Sequence, residues 1–428
     1  MSEQTFEDFN EPETEAPLRS ERRSRRRKKS GWPQLEINFD VPLLLGVFAL
    51  LLFGALMVYS ASWDFSLVNY GDPTRMFFQQ MRSLVVGLVV GTACCFIHYH
   101  FWRKYSVLLM GGTLMALVAV LVYGQVLYGS ARAFSAGSYM PGEVAKLVTL
   151  IYLSVWLYAK RNELSKVSYG LLPLIIMLGT VAGLIYLQPD ISAAATIVFL
   201  GGLMFFLAGG SVLQIGLIVG GTAALIPLLM QFSTTARVRI TDYVTGLGDP
   251  TLANDHILRS YEAFVKGGWF GVGLGQSTAK LTGLPVPPTD SVFAVIGEEL
   301  GLFGVLLTLG LYALILWRGL VIARRSPDMF GSLLAGGIAL WIALEASVNM
   351  AVLVGLVPFA GNTLPMISFG GSSLVTNLAA LGILMSISRA SREQSVEEER
   401  TLDATTRGRR SERGWGVSRS RRASRVGQ

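Results

Sequence analysis

Charge is what this chain has least of. Only 15% of its 428 residues are Asp, Glu, Lys or Arg, against 51% that are hydrophobic. That balance excludes a soluble multidomain protein of this length and implies a polytopic membrane protein. Cysteine is nearly missing too: Cys94 and Cys95 are adjacent in an apolar stretch, which fits neither a disulfide framework nor a metal site with recognisable ligand spacing. His98 and His100 have no further His or Cys at ligand spacing, so they read as interfacial residues rather than metal ligands. The glycine-rich tract Gly267-Gly-Trp-Phe-Gly-Val-Gly-Leu-Gly275 lacks the Gly-Lys-Ser/Thr ending and the strand-turn-helix setting of a nucleotide loop. Flexible or re-entrant backbone at the membrane surface is its better reading.

What is present is a series of apolar runs, each near the ~20 residues needed to cross a bilayer. They fall at about Val41 to Ala61, Arg82 to Tyr99, Ser106 to Gly124, Val144 to Ala159, Gly170 to Leu187, a sixth from after Asp190 to Ala208, a seventh from after the Gly209-Gly210-Ser211 turn to Gln231, Ser291 to Trp317, Gly331 to Val354, and a tenth ending near Ser388. The expectation is an all-α membrane domain over 41–388. Polar tails at 1–40 and 389–428 cannot bury a core and are expected to be disordered. The first tail is too long for the n-region of a signal peptide, so the first apolar run is expected to be kept as a span.

The net charge of +7 is concentrated in the tails and in alternate loops, among them Arg22 to Lys29, Arg103, Lys104, Lys160, Arg161, Arg318, Arg324 and Arg325. A basic run just before a span reads as positive-inside anchoring rather than a nucleic-acid footprint. Both termini are therefore expected in the cytoplasm, and the loops 125–141, 188–190, 232–290 and 355–371 on the outer face. The longest of these, 232–290, ends in Leu284-Pro-Val-Pro-Pro-Thr-Asp290, a proline-stiffened turn delivering one carboxylate to the mouth of an apolar helix.

Arg132, Glu143, Lys146, Asp190, Arg237, Arg239, Lys280 and Asp290 all lie in or beside those outer loops. Charge near hydrocarbon costs about 2.5–3.5 kcal/mol per residue on insertion scales, so such groups face a polar cavity or each other. Glu143 and Lys146, three apart at a helix start, can pair on one face; a structural ion pair and a substrate contact are equally open from their spacing alone. Cations gathered around a carboxylate suit a phosphorylated ligand, and in a membrane protein a phosphorylated lipid. Glu298, Glu299 and Glu345 lie within spans and read first as packing or hydrogen-bonded groups.

These motifs together resemble the SEDS family (shape, elongation, division, sporulation), the polytopic peptidoglycan polymerases of FtsW and RodA type. The matching stretches are Ala131-Arg-Ala-Phe134, Pro141-Gly-Glu-Val-Ala-Lys-Leu147, Gln188-Pro-Asp190, the tract 267–275, Gln276-Ser-Thr-Ala-Lys-Leu281, Leu284-Pro285, Thr289-Asp290, Ile296-Gly-Glu-Glu-Leu-Gly301 and Thr363-Leu-Pro-Met-Ile-Ser-Phe-Gly-Gly-Ser-Ser373. The resemblance implies a ten-span SEDS fold in the bacterial cytoplasmic membrane and a glycosyltransferase that polymerises lipid II on the extracytoplasmic face. It implies Asp290 as general base and Arg132, Glu143, Lys146, Asp190, Arg239 and Lys280 as polar cavity residues. It also implies undecaprenyl-linked glycan as co-substrate, a class B penicillin-binding protein transpeptidase as partner, other division proteins around it, and no nucleic acid. No cofactor is firmly implied; a divalent cation, Mg or Mn, is an alternative to the cations for steadying the leaving pyrophosphate. This chain departs from the family at Val286, Pro288, Phe369, Gly142 and Glu345, and its details lean toward the division type over the elongation type. The rival readings are a lipid II flippase and a scaffold acting through its tails.

Overall fold

The computed structural model describes residues 39–394 except 124, 128–129, 134–139, 165, 219, 222–230 and 232. Nearly all of the two tails, and part of the expected seventh span, lie outside the described residues.

The apolar runs become helices because hydrocarbon leaves no partner for an exposed backbone N–H or C=O. In chain order they are α1 (Val41–Tyr70), α2 (Arg75–Phe96), α3 (His100–Tyr123), α4 (Pro141–Lys160), α5 (Leu172–Tyr186, entered through a π turn at Val167–Leu171), α6 (Ile191–Leu207), α7 (Thr234–Gly248), α8 (Asp255–Gly267), α9 (Val292–Arg325), α10 (Met329–Leu353) and α11 (Gly371–Gln394). A two-stranded hairpin, Gln125–Leu127 with Ser130–Ala133, is the one sheet among the described residues. Eight helices, including the continuous 167–186 segment, are long and apolar enough to cross a membrane. The shorter α6 and a helical stretch at 212–218 occupy the places of the sixth and seventh expected spans. The fold is the all-α polytopic one that the sequence predicts.

Three boundaries differ from expectation, each for a local reason. The polar, aromatic stretch after Ala61 stays helical until Gly71, whose left-handed φ of 71° ends α1, so the loop before α2 shrinks to residues 71–74. The long 232–290 loop is not featureless: it holds α7, capped by Ser233, and α8, capped by Asn254. Neither is long enough to span, and α8 buries Ile257, Ser260, Ala263 and Gly267 along one stripe. Helix α11 runs on to Gln394, six residues into the segment expected to be tail.

α10 and α11 are the most enclosed spans and α2 and α3 the least. α10 packs on α9, α4 and α6; α9 also packs on α1 and α8. Glycines set the closest approaches: a Cβ on Gly54 would strike the backbone of Met366 and Ile367, and one on Gly382 the backbone of Gly91, so α1 meets the loop before α11 and α2 meets α11 at van der Waals limits.

Side-chain contacts distinguish the two ends of the bundle. At one end Arg318 Nη2 and Nε donate to the carboxylate of Asp40 at 2.5 and 3.1 Å, Ser386 Oγ donates to the Ile97 carbonyl, and His100 Nε2 lies 3.0 Å from Asp328. Arg324, Arg325 and Arg389 share this end, at the termini of α9 and α11. At the other end the start of α4 meets the start of α11 through the Met140 N–H donating to Ser372 Oγ at 2.9 Å, and the start of α9 meets the end of α10. Asp290 is at this second end, opposite the arginines.

Candidate active site

Asp290 closes a tight turn just before α9. The turn is held by its backbone. The Phe369 N–H donates to the Pro288 carbonyl at 2.7 Å, Ser368 Oγ donates to the Thr289 carbonyl at 2.6 Å, and Asn349 Nδ2 donates to the Asp290 carbonyl at 2.9 Å. Asn349 Nδ2 also reaches the Asn362 carbonyl at 2.5 Å; both partners are acceptors, so the amide orientation is settled by chemistry. Gln80 from α2 grips the same loop, its amide donating to the Ser368 carbonyl and its carbonyl accepting from the Gly370 N–H, each at 3.2 Å. Three consecutive carbonyls, 288 to 290, are thus pinned by the segment leading into α11 and by α10.

The side chain of Asp290 is half-buried and shares its surroundings with Arg239. Both Asp290 Oδ2 and Arg239 Nη2 lie 3.6 Å from the point where Gly361 would carry a Cβ, and Gly361 has a φ of 66° that a side chain would strain. Arg239 Nη1 donates to the Ala360 carbonyl at 3.3 Å, and its guanidinium lies 5.3 Å from the Phe359 ring centroid. Helices α7 and α8 reach the loop after α10 by further contacts, Tyr243 Oη donating to the Leu356 carbonyl and Tyr261 Oη to that of Val354. The His256 ring stacks on Phe359 at 4.1 Å, and His256 Nδ1 lies 2.9 Å from Ser291 Oγ. His256, Asn349, Ser368 and Gln80 were not singled out from the sequence. Only Ser368 lies in a recognisable motif; the others act on backbone atoms or a neighbouring hydroxyl, which leaves no spacing pattern to find.

The glycine tract proves to be a close-packed splice. Helix α9 breaks at Gly301 (φ 63°, ψ −157°), and the tract fills the gap in its hydrogen bonding. Val272 and Gly273 N–H donate to the carbonyls of Glu298 and Glu299, while Leu302 and Phe303 N–H donate to those of Gly268 and Trp269. A Cβ on Gly301 would meet Gly271 N at 2.5 Å and Trp269 C at 2.6 Å, and one on Gly267 or Gly271 would collide with the α9 backbone. Glycine is required there for close approach, and flexibility is not the reason. The splice leaves 292–299 as a fully buried half-helix with Asp290 just before its start.

The two glutamates of that half-helix are spent on structure. Glu298, fully buried, accepts from Ser277 Oγ, from Thr278 N and Oγ1 at 3.0 and 2.9 Å, and from Ala279 N at 3.0 Å. Glu299 accepts from Ser60 Oγ at 2.6 and 2.7 Å and pairs with Lys280 at 3.3 Å, and Lys280 also donates to the Ser60 and Gly275 carbonyls.

Lys146 sits between two carboxylates, 2.8 Å from Glu143 Oε2 and 2.5 Å from Glu345 Oε1, the Lys146 and Glu345 side chains each 6% exposed. Glu143 and Lys146 therefore do pair on one face of α4, with Glu345 of α10 added. Glu345 and Asn349 are one turn apart on α10, so a single helix links this cluster to the Asp290 turn. Asp190 caps α6, its Oδ1 accepting from Ala193 N at 3.2 Å and Ser192 Oγ at 3.0 Å. Arg132 lies on the second strand of the hairpin, and its side chain is outside the described residues. Of the residues expected in one cavity, then, Asp290 and Arg239 meet at Gly361, Glu143 and Lys146 form a second cluster, and Lys280 belongs to the α9 splice.

Residues 42–393 match the family model of the FtsW, RodA and SpoVE cell cycle proteins. The chain is 36% identical to the probable peptidoglycan glycosyltransferase FtsW of Thioalkalivibrio sulfidiphilus over 83% of its own length and 91% of that protein. It is likewise 36% identical to stage V sporulation protein E of Bacillus subtilis, over 82% of this chain and 98% of that one. Among solved structures, the rod shape determining protein RodA of Thermus thermophilus aligns with a TM-score of 0.63 at 26% identity, covering 83% of this chain and 98% of RodA. A chain from a peptidoglycan synthase complex that coordinates polymerization and crosslinking aligns with a TM-score of 0.67, also at 26% identity, covering 82% and 98%.

Proposed function

This chain belongs to the FtsW/RodA/SpoVE family of cell cycle proteins, and we propose from that premise that it polymerises lipid II into glycan strands, with Asp290 as general base, at the outer face of the bacterial cytoplasmic membrane. The observation that carries the assignment is the placement of one carboxylate: the pinned carbonyls of Pro288, Thr289 and Asp290 set the half-buried Asp290 side chain around Gly361 together with Arg239, at the bundle end away from Arg318, Arg324 and Arg325. The positive-inside rule assigns the arginine end to the cytoplasm and hence Asp290 to the outside.

In this reading a lipid II sugar hydroxyl approaches Asp290, which takes its proton as the oxygen attacks the anomeric carbon of the growing chain. A single displacement inverts that carbon and expels undecaprenyl pyrophosphate. Arg239 is the cation assigned to the developing pyrophosphate charge, because it shares the surroundings of Gly361 with Asp290. Glu143, Lys146 and Asp190 then shape the site rather than touch the reacting atoms. Among the described residues no three His, Cys, Asp or Glu side chains gather as a metal site.

The proposal extends to septal synthesis, supported by relatives named FtsW at 35–37% identity, and to a class B transpeptidase as partner, supported by the similarity to a chain from a polymerising and crosslinking complex. The test is polymerisation of purified lipid II by the wild type and by Asp290→Asn, with and without the transpeptidase. General-base loss should lower turnover by about 10²–10⁴-fold. Full-rate polymerisation by Asp290→Asn would reject the assignment.

A further inference from the structure

The Asp290 turn is gripped at its tip and again at its neck. Its tip is held by Asn349, Ser368 and the Phe369 N–H. Its neck is closed by Ser291 Oγ, which donates to the Pro285 carbonyl at 2.8 Å and so ties together the two residues that bracket 286–290. That serine has a second neighbour, His256 Nδ1, at 2.9 Å.

The proton count along this chain has a single solution. The Pro285 carbonyl can only accept, so the one hydroxyl proton of Ser291 goes to it. The contact between Ser291 Oγ and His256 is then a hydrogen bond only if Nδ1 carries the proton and donates. The imidazole is therefore the Nδ1–H tautomer, with its lone pair on Nε2. Its donation polarises the Ser291 hydroxyl and strengthens the bond that closes the neck. The ring itself is held flat by stacking on Phe359, the residue whose other interaction is with the Arg239 guanidinium. Asn254, which caps α8 by accepting from the His256 N–H at 3.1 Å, fixes where the ring starts from.

We infer that His256 is a positioning residue for Asp290: through Ser291 its Nδ1–H clamps the neck of the turn, and by sharing Phe359 it couples that clamp to Arg239. The inference rests on Asp290 being the base. It also gives α8 a role beyond packing on α9 and the Tyr261 contact to the loop after α10.

Five variants and one spectrum test it, each variant first checked for insertion and a monodisperse profile in detergent. His256→Asn keeps an amide N–H near the Nδ1 position, whereas His256→Gln places its amide nearer Nε2. Misplacing a reacting group by about 1 Å can cost on the order of 10²-fold, and a loosened neck should cost part of that. His256→Ala, His256→Gln and Ser291→Ala are each expected to lower kcat by roughly tenfold with KM unchanged, and His256→Asn to stay within about twofold of wild type. The double variant His256→Ala/Ser291→Ala should be no slower than either single one, because both cut the same chain. Equal rates for the Asn and Gln variants, or a loss confined to KM, would overturn the clamp.

The spectrum is 15N NMR of wild-type protein labelled at histidine, with the His256 signal assigned by its absence in the variant. Nδ1 should be protonated and Nε2 unprotonated at neutral pH. The opposite tautomer would sink the inference while leaving Asp290 untouched. Full activity of Asp290→Asn would instead remove the catalytic reading and leave the tautomer standing.

Discussion

Asp290 and Glu298 lie eight positions apart and are handled in opposite ways. At Asp290 the fold binds the main chain and leaves the carboxylate half-buried next to a guanidinium. At Glu298 it buries the carboxylate completely and saturates it with donors from Ser277, Thr278 and Ala279. A carboxylate in the first position can exchange a proton with a ligand. One in the second is a fastener, and proton exchange there would undo the splice.

The sharpest way to break that comparison is to remove both groups and ask what each removal costs. Asp290→Asn should lower lipid II polymerisation by about 10²–10⁴-fold with little change in thermal unfolding. Glu298→Ala should do the reverse, losing at least about 3 kcal/mol of stability as buried donors are orphaned. If the two variants showed the same profile, the distinction would fail. Next comes Lys280, which the sequence places among the cavity cations and the structure places in a buried pair with Glu299. Lys280→Met should destabilise the protein by about 3–5 kcal/mol by stranding Glu299. A variant that melts like wild type but binds lipid II poorly would return Lys280 to the substrate.

Smaller effects probe the pinning itself. Asn349→Ala removes the clasp on the Asp290 carbonyl, and kcat should fall by roughly tenfold with KM little changed, as measured by initial rates of glycan synthesis. The smallest expected signal is a pH dependence. Burial pushes the His256 imidazole down from 6.5 to about 4, with nearby Arg239 adding to the effect and Asp255 opposing it. Between those values the unfolded chain binds a proton that the folded ring refuses, so this contribution to stability is present above pH 6.5 and lost as the pH falls toward 4. Thermal unfolding of His256→Asn should lack that part of the wild-type slope.

Much of this was legible in the residues. Asp290 stands out because a proline-stiffened turn ending in a carboxylate before an apolar helix is uncommon, and Glu143 and Lys146 because their spacing puts them on one helix face. The glycine tract was legible as a motif but not in purpose: its glycines answer to the broken backbone of α9 around Gly301, a partner that no local pattern names. α7 and α8 were hidden inside a loop because they are too short and polar to resemble spans. Lys280 looked like its neighbours on charge alone, since nothing in the stretch around it announces that Glu299 and Ser60 will fold onto it.

By itself the sequence determined the all-α membrane fold, because hydrocarbon admits only backbone that satisfies its own hydrogen bonds, and long apolar runs have few other ways to do so. It also determined where charge of each sign could be tolerated. Only the tertiary structure decided which carboxylate is buried among donors and which lies half-buried beside a guanidinium, because that depends on hydrogen bonds from distant elements, many of them to main-chain carbonyls. Every residue carries the same carbonyl whatever its side chain, so those choices leave no trace in residue type.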